Sequence, residues 1–131
     1  MGLKEAVVSV FSKYATFSGR ATRSEYWFFC LFNFLMQIGL ILGCTILGAI
    51  FYKEGGLLGG YAVGNILGWI YAIVAFIPGL AVSVRRLHDT GRSGVNMFWV
   101  FLPLIGAIIL LVYMLTGSNV GDNAYGPQPE K

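Results

Sequence analysis

The segment RRLHDTGRSG, residues 85–94, decides how this chain is arranged. It holds five of the sixteen titratable side chains, which are the nine Lys and Arg, the six Asp and Glu and the one His. Three stretches without Asp, Glu, Lys or Arg lie around it, at Tyr26–Tyr52, Gly55–Val84 and Ser93–Gly121. A charged segment between two such stretches is typical of a short loop that joins two membrane helices at one face of the bilayer.

The composition places the chain in a membrane. Charged residues make up 11% of the 131 residues, against about 25% in a soluble domain, and the mean hydropathy is +0.72. About 20 apolar residues cross a bilayer once as a helix, so each uncharged stretch is long enough for one crossing. We therefore predict an all-α integral membrane protein that forms a single domain over 1–131, with three transmembrane helices at about 26–52, 58–84 and 95–116.

Two further segments flank the predicted spans. Leu3, Val7 and Phe11 recur at helical spacing, which predicts an amphipathic helix at about 3–15 that is too short to span and lies in the interface. The segment TRSE, residues 22–25, has the form of a capping box, which marks the start of the first span. The tail 117–131 is rich in Gly, Asn and Pro and is expected to be extended.

Basic residues predict the sidedness. Seven Lys and Arg lie before the first span or in the 85–94 loop, whereas the first loop has Lys53 and the tail has Lys131. By the positive-inside rule, the N-terminus and the 85–94 loop are cytoplasmic, and with three spans the tail is outside. Pro103 and Gly106 leave an alternative, in which the third segment is a re-entrant hairpin and the tail is also cytoplasmic.

Small and polar residues indicate how the helices pack. Close backbone approach favours helix association in lipid, and small residues recur at four-residue spacing in both long spans: Gly39 and Gly43 in the first, and Gly60, Gly64 and Gly68 in the second. The two stripes can meet inside one chain, or the longer one can form a homodimer. We interpret Asn33, Gln37 and Asn65 as residues that form hydrogen bonds between helices. A transport path is less favoured, because the spans contain no carboxylate or lysine to line it.

The cytoplasmic face is the candidate functional site. Arginine offers planar bidentate donors to a phosphate, and helix N-termini add free N–H groups. The candidates for binding an anion or a lipid headgroup are Arg20, Arg23, Arg85, Arg86, His88 and Arg92. Four further residues are expected to pair or cap: Thr22, Glu25, Asp89 and Ser93. The alternative is that these charges only set orientation and pin helix ends together, with Arg85 and Asp89 paired at i,i+4.

Catalysis has little support in the sequence. We find no nucleophile elbow, phosphate-binding loop, dinucleotide fingerprint or cluster of metal ligands, so we expect no enzyme activity, cofactor or metal. Cys30 and Cys44 fall in one predicted helix, about 21 Å apart, which is too far for a disulfide. No basic stripe with interleaved aromatic residues indicates nucleic-acid binding.

Three ordered motifs carry a family resemblance: FSGRATRSEYW at 17–27, RRLHDTGRSG at 85–94 and GDNAYGP at 121–127. With them the chain resembles a bacterial membrane family known as domain of unknown function 805. It departs from the family at Val95-Asn96, where relatives often carry tryptophan. The resemblance implies a small inner-membrane protein with several helices, and it implies no activity.

The expected function is that of a non-enzymatic membrane component whose arginine-rich cytoplasmic face binds anionic lipid headgroups. The expected partners are membrane lipids, a second copy of the chain or another membrane protein. The alternative function is a subunit of an oligomeric transporter or channel, which the glycine stripes and the three amides would serve.

Overall fold

A computed structural model describes residues 2–129, and the regular elements in this range are helices, as predicted. Four are α-helices: α1 Leu3–Ser12, α2 Arg23–Phe51, α3 Gly56–Asp89 and α4 Ile105–Leu115. A 3₁₀ helix, Gly94–Phe101, lies between α3 and α4. The first helix ends at Ser12, before the predicted limit of about residue 15.

Two of these helices are long and apolar enough to cross a membrane. α2 has 29 residues and α3 has 34, with mean hydropathies of 2.2 and 2.0 in their most apolar 18-residue windows. At about 1.5 Å per residue, both exceed the ~30 Å hydrocarbon layer. None of the α2 window is buried, and 28% of the α3 window is. A core helix of a soluble protein would be mostly buried, so these exposed apolar surfaces agree with the predicted spans 26–52 and 58–84.

The contacts divide the chain into two units, of which Cys30–Phe76 is the second. In this unit the glycines of α3 lie against the backbone of α2. A Cβ atom on Gly60 or Gly64 would come within 3.0 Å of backbone atoms of Cys44 or Ile41. A Cβ atom at Gly39 or Gly43 would have no heavy atom of the described chain within 4 Å. The longer stripe therefore packs inside one chain, but not on the shorter stripe.

Amide side chains add polar contacts within the same unit. The Gln37 side chain donates from Nε2 to the carbonyl oxygen of Gly68 at 2.9 Å. The Tyr71 hydroxyl donates to Oδ1 of Asn33 at 2.5 Å. Asn65 instead donates to the Tyr61 carbonyl of its own helix. Asn33 and Gln37 thus join the two helices, whereas Asn65 makes no such bond within the described part of the chain.

The third predicted span is not a spanning helix. The 3₁₀ helix has 8 residues and α4 has 11, so each reaches about 16 Å at ~2.0 or ~1.5 Å per residue, roughly half of the hydrocarbon layer. Pro103 interrupts the helical hydrogen bonds between them, and Leu104 has a φ of 63°. Gly106 approaches the Trp99 carbonyl so closely that a Cβ atom there would collide with it. Residues 94–115 therefore form a hairpin, the alternative that Pro103 and Gly106 had left open.

The tail returns to the 85–94 loop in the unit formed by the segments up to Phe29 and from Ile77. The backbone N–H of Asn119 donates to the Asp89 carbonyl at 2.8 Å, and the side-chain Nδ2 of Asn123 donates to the His88 carbonyl at 2.9 Å. The prediction that the tail and this loop lie on opposite sides of the membrane is therefore wrong. Lys131, which entered the charge count, lies outside the described residues.

Candidate functional site

The first unit brings the predicted site residues together from distant parts of the chain. The last five residues of α3 include Arg85, Arg86 and Asp89, the first turn of α2 carries Glu25, and the segment before α2 carries Arg20. We call these five residues the arginine cluster. All five are buried, and the Ala21 amide donates to the Arg85 carbonyl at 3.0 Å.

Asp89 is the centre of the cluster. Its carboxylate accepts a hydrogen bond from Arg20 Nε at 2.9 Å and another from Arg86 Nη1 at 2.6 Å. The Ser118 hydroxyl donates to the same carboxylate. The expected i,i+4 pair between Arg85 and Asp89 is not formed, because Arg86 takes Asp89 at i,i+3 and Arg85 turns to Glu25.

Arg20 and Arg86 also hold the end of α4 and the tail. Arg20 donates to the carbonyls of Asn119 at 2.6 Å and Gly121 at 2.7 Å. Arg86 donates to the Met114 carbonyl at 3.2 Å and to the Thr116 carbonyl. The last carbonyls of a helix lack partners inside the helix and carry partial negative charge, which a cation offsets. Arg86 therefore acts as a cap on α4, whereas Arg20 holds the tail that follows it.

Glu25 links α1, α2 and α3. One carboxylate oxygen accepts from Arg85 Nη1 at 3.2 Å and from the Ser9 hydroxyl at 2.8 Å. The Glu25 amide donates to Thr22 Oγ1 at 3.1 Å, so Thr22 caps α2 as predicted. A capping box also needs the Glu25 carboxylate to accept from the Thr22 backbone N–H. Here that carboxylate accepts from Arg85 and Ser9 instead, so only the Thr22 half of the expected capping box is formed. Ser93 precedes the 3₁₀ helix but makes no side-chain cap bond.

His88 fixes the tail. Its Nδ1 lies 3.0 Å from the Gly19 carbonyl, which can only accept, so Nδ1 carries the proton. The ring stacks on Tyr125 with centroids 4.0 Å apart and an interplanar angle of 1°. These contacts assign His88 a structural part in holding Tyr125 and Gly19 together.

Two predicted anion ligands remain accessible. Arg23 is exposed, and its Nη1 lies 3.3 Å from the Leu115 carbonyl. Arg92 is half-buried and lies over the Tyr113 ring at 4.0 Å. A cleft of about 350 Å³ opens beside Arg23, and its lining includes Thr22, Ser24, Ser118 and Gln128. Arg20, Arg85 and Arg86 are buried inside the protein.

Sequence reasoning missed the partners of the cluster. The residues that hold the tail on the end of α3 are Asn119, Asn123 and Tyr125. Ser9 and Ser118 donate hydrogen bonds to the carboxylates of Glu25 and Asp89. The signal available was the GDNAYGP motif at 121–127, which occurs together with the two charged motifs. Within residues 2–129 no group of three or more His, Cys, Asp or Glu could hold a metal ion.

Comparisons with known proteins identify a family and relatives that are named as inner membrane proteins. A family model described as "Protein of unknown function (DUF805)" matches residues 14–127. Inner membrane protein YhaI of Escherichia coli (strain K12) is 40% identical over 94% of this chain and 93% of its own length. Inner membrane protein YhaH of the same strain is 37% identical over 94% of each chain. No solved structure matches. The two long apolar helices and these relatives mark an inner membrane protein of unknown function, and the chain belongs to the DUF805 family.

Proposed function

We propose that this protein is a non-enzymatic component of the bacterial inner membrane that binds anionic lipid headgroups through Arg23 and Arg92. Its N-terminal segment, 85–94 loop and tail are all cytoplasmic. The observation that carries the proposal is the division of the arginines into a buried group that binds the protein itself and an accessible pair.

The sidedness follows from the charges at each end. Among the described residues, seven Lys and Arg lie at or before the first residue of α2 or in the 85–94 segment, and the tail is bonded to that segment. The turn between α2 and α3 carries one basic residue, Lys53. Seven against one is a strong positive-inside bias for a cytoplasmic location of the arginine cluster.

Headgroup binding is supported by the position of the accessible pair. Arg23 is the first residue of α2, where unpaired N–H groups and the helix dipole favour an anion. Arg92 immediately precedes the hairpin, whose apolar residues are largely exposed. A basic residue next to exposed apolar surface lies at the depth of lipid phosphates.

The test is a double variant, Arg23→Gln with Arg92→Gln, compared with Lys53→Gln in the turn between α2 and α3. A basic residue near an anionic membrane surface contributes about 1 kcal/mol. The double variant is therefore expected to retain phosphatidylglycerol at least about tenfold more weakly in native mass spectrometry. Lys53→Gln is expected to behave as the wild type. Equal retention by the double variant and Lys53→Gln would refute the proposal.

The alternative of an oligomeric transporter or channel subunit has weaker support. Asn33 and Gln37, which could have lined a polar path, bond to Tyr71 and Gly68 between the two helices. An enzymatic role is also less supported, because His88 is stacked on Tyr125 and bonded to Gly19.

A further inference from the structure

Two of the three guanidinium nitrogens of Arg85 have no hydrogen-bond partner in the described part of the protein, unlike those of the other arginines in the cluster. Its side chain is 1% exposed, and Nη1 bonds to Glu25. The buried atoms Nε and Nη2 have no hydrogen-bond partner in the described chain. All three guanidinium nitrogens of Arg20 and of Arg86 have partners. Because buried polar groups are bonded in the great majority of cases, two free donors on one side chain require an explanation.

The two free donors are adjacent. Nε–H and one Nη2–H point the same way within the guanidinium plane and form one edge of the donor fork. This edge matches two oxygens of one phosphate or carboxylate group, a geometry that gives arginine its preference for such ligands. The two unpartnered nitrogens of Arg85 therefore form a complete edge that can bind one anionic group through two hydrogen bonds.

Helix α1 contacts Glu25, the partner of this arginine. The Ser9 hydroxyl bonds to the same Glu25 oxygen as Arg85 Nη1. Ala6 and Val10 of α1 are fully buried, and Phe11 contacts the edge of Phe29 with ring centroids 5.6 Å apart. Residues 13–18, which follow α1, are exposed. A short helix with an apolar face and an exposed connection can exchange its protein contact for the membrane interface.

We propose that the Nε/Nη2 edge of Arg85 is a concealed binding site for a phosphate oxyanion, reached when α1 lifts from the Arg85–Glu25 pair. The phosphodiester of an anionic lipid and free inorganic phosphate both offer this chemistry. The site is separate from Arg23 and Arg92, and it rests on the proposed function only in placing this end at the membrane surface.

The test uses the full chain in maltoside micelles in phosphate-free buffer, with hydrogen–deuterium exchange of α1 as the readout. One arm adds phosphatidylglycerol, a second adds inorganic phosphate and a third adds neither. We expect exchange in α1 to rise about tenfold with ligand, the size of a lost hydrogen bond to a charged group. A rise in the lipid arm alone assigns the lipid, and a rise in the phosphate arm assigns free phosphate as a sufficient ligand.

Arg85→Lys is the matched variant, because it keeps the charge and removes the bidentate edge. It is expected to abolish the rise in exchange. Unchanged exchange of the wild type in both arms, or an equal rise in Arg85→Lys, would overturn the site, and the first result does not depend on any variant folding. The proposed function fails on a different readout, the phosphatidylglycerol retained by the Arg23→Gln and Arg92→Gln double variant.

Discussion

At the scale of single residues, Asp89 is the carboxylate that two arginines of the cluster share. Its carboxylate is fully buried between Arg20 and Arg86, and its carbonyl accepts the Asn119 amide. A buried ion pair contributes little net stability compared with apolar packing, but removal of one partner leaves an uncompensated charge. The main effect of removing the Asp89 carboxylate would therefore be to leave Arg20 and Arg86 buried without a counter-charge.

Asp89→Asn is expected to destabilise the protein by about 3–5 kcal/mol, because the two arginines then lack a counter-charge in a buried site. The measurement is unfolding in detergent, by heat or by titration with dodecyl sulfate. Asp122→Asn, at an exposed position of the tail, is the control and should change stability by less than about 0.5 kcal/mol. Equal stabilities of the two variants would show that the cluster is not held by Asp89.

The site was predictable from sequence only in its local parts. Thr22 caps α2 because a cap depends on neighbours within three residues, which the TRSE segment shows. The pairing of Asp89 was predicted wrongly, since Arg20 reaches it from 69 residues away in the chain. Residue types and charge identified the cluster, whereas the choice of partners depended on how the tail folds back.

At the scale of elements, the glycine stripe of α3 sets the distance between the two long helices in Cys30–Phe76. The space at Gly60 is filled by backbone atoms of Cys44 and Thr45, which cannot move aside as a flexible side chain would. At neighbouring Gly59, no heavy atom of the described residues lies within 4 Å of the position that an added methyl group would take. The two adjacent glycines thus differ in packing while sharing one helix.

Gly60→Ala is expected to destabilise this helix pair by about 1–3 kcal/mol, because the added methyl group forces the backbones apart. Gly59→Ala is the matched control and is expected to be neutral or stabilising by up to about 1 kcal/mol, since alanine favours a helix over glycine. Unfolding in dodecyl sulfate measures both. A Gly60→Ala protein as stable as Gly59→Ala would contradict the packing.

The hairpin at 94–115 makes a separate prediction about depth. Leu104, at its turn, is 75% exposed in the protein and is expected to lie in lipid, about 16 Å from the base of the hairpin. With Cys30 and Cys44 replaced by serine, Leu104→Cys should react poorly with a membrane-impermeant maleimide from either side. Val120→Cys, 92% exposed in the tail, should react from the cytoplasmic side. Ready labelling of Leu104→Cys from either side would exclude a hairpin whose turn lies in the hydrocarbon layer.

Hydropathy predicted α2 and α3 but could not separate a third span from a hairpin. A run of 29 uncharged residues, Ser93–Gly121, satisfies both arrangements equally well. Pro103 and Gly106 were the available signals, because proline ends a run of helical hydrogen bonds and glycine lets two segments approach closely. The hydropathy was compatible with both arrangements, and these two residues favoured the hairpin. The close approach of Gly106 to Trp99 in the structure decides for the hairpin.

At the scale of the whole molecule, the distribution of charge accounts for sidedness. The tail is bonded to the C-terminal end of α3, which carries Arg85 and Arg86, so we expect both in one aqueous compartment. From the positive-inside bias, we propose that this compartment is the cytoplasm. An even number of crossings, with both chain ends on the same side, is the central claim.

Fusions to the chain test this claim most directly. We predict that green fluorescent protein fused after the last residue is fluorescent and that alkaline phosphatase at the same position is inactive. A phosphatase fusion after Glu54, in the turn between α2 and α3, should be active and serves as the control. Active phosphatase and a dark fluorescent protein at the C-terminus would contradict the account, since the tail would then lie across the membrane from the arginine cluster.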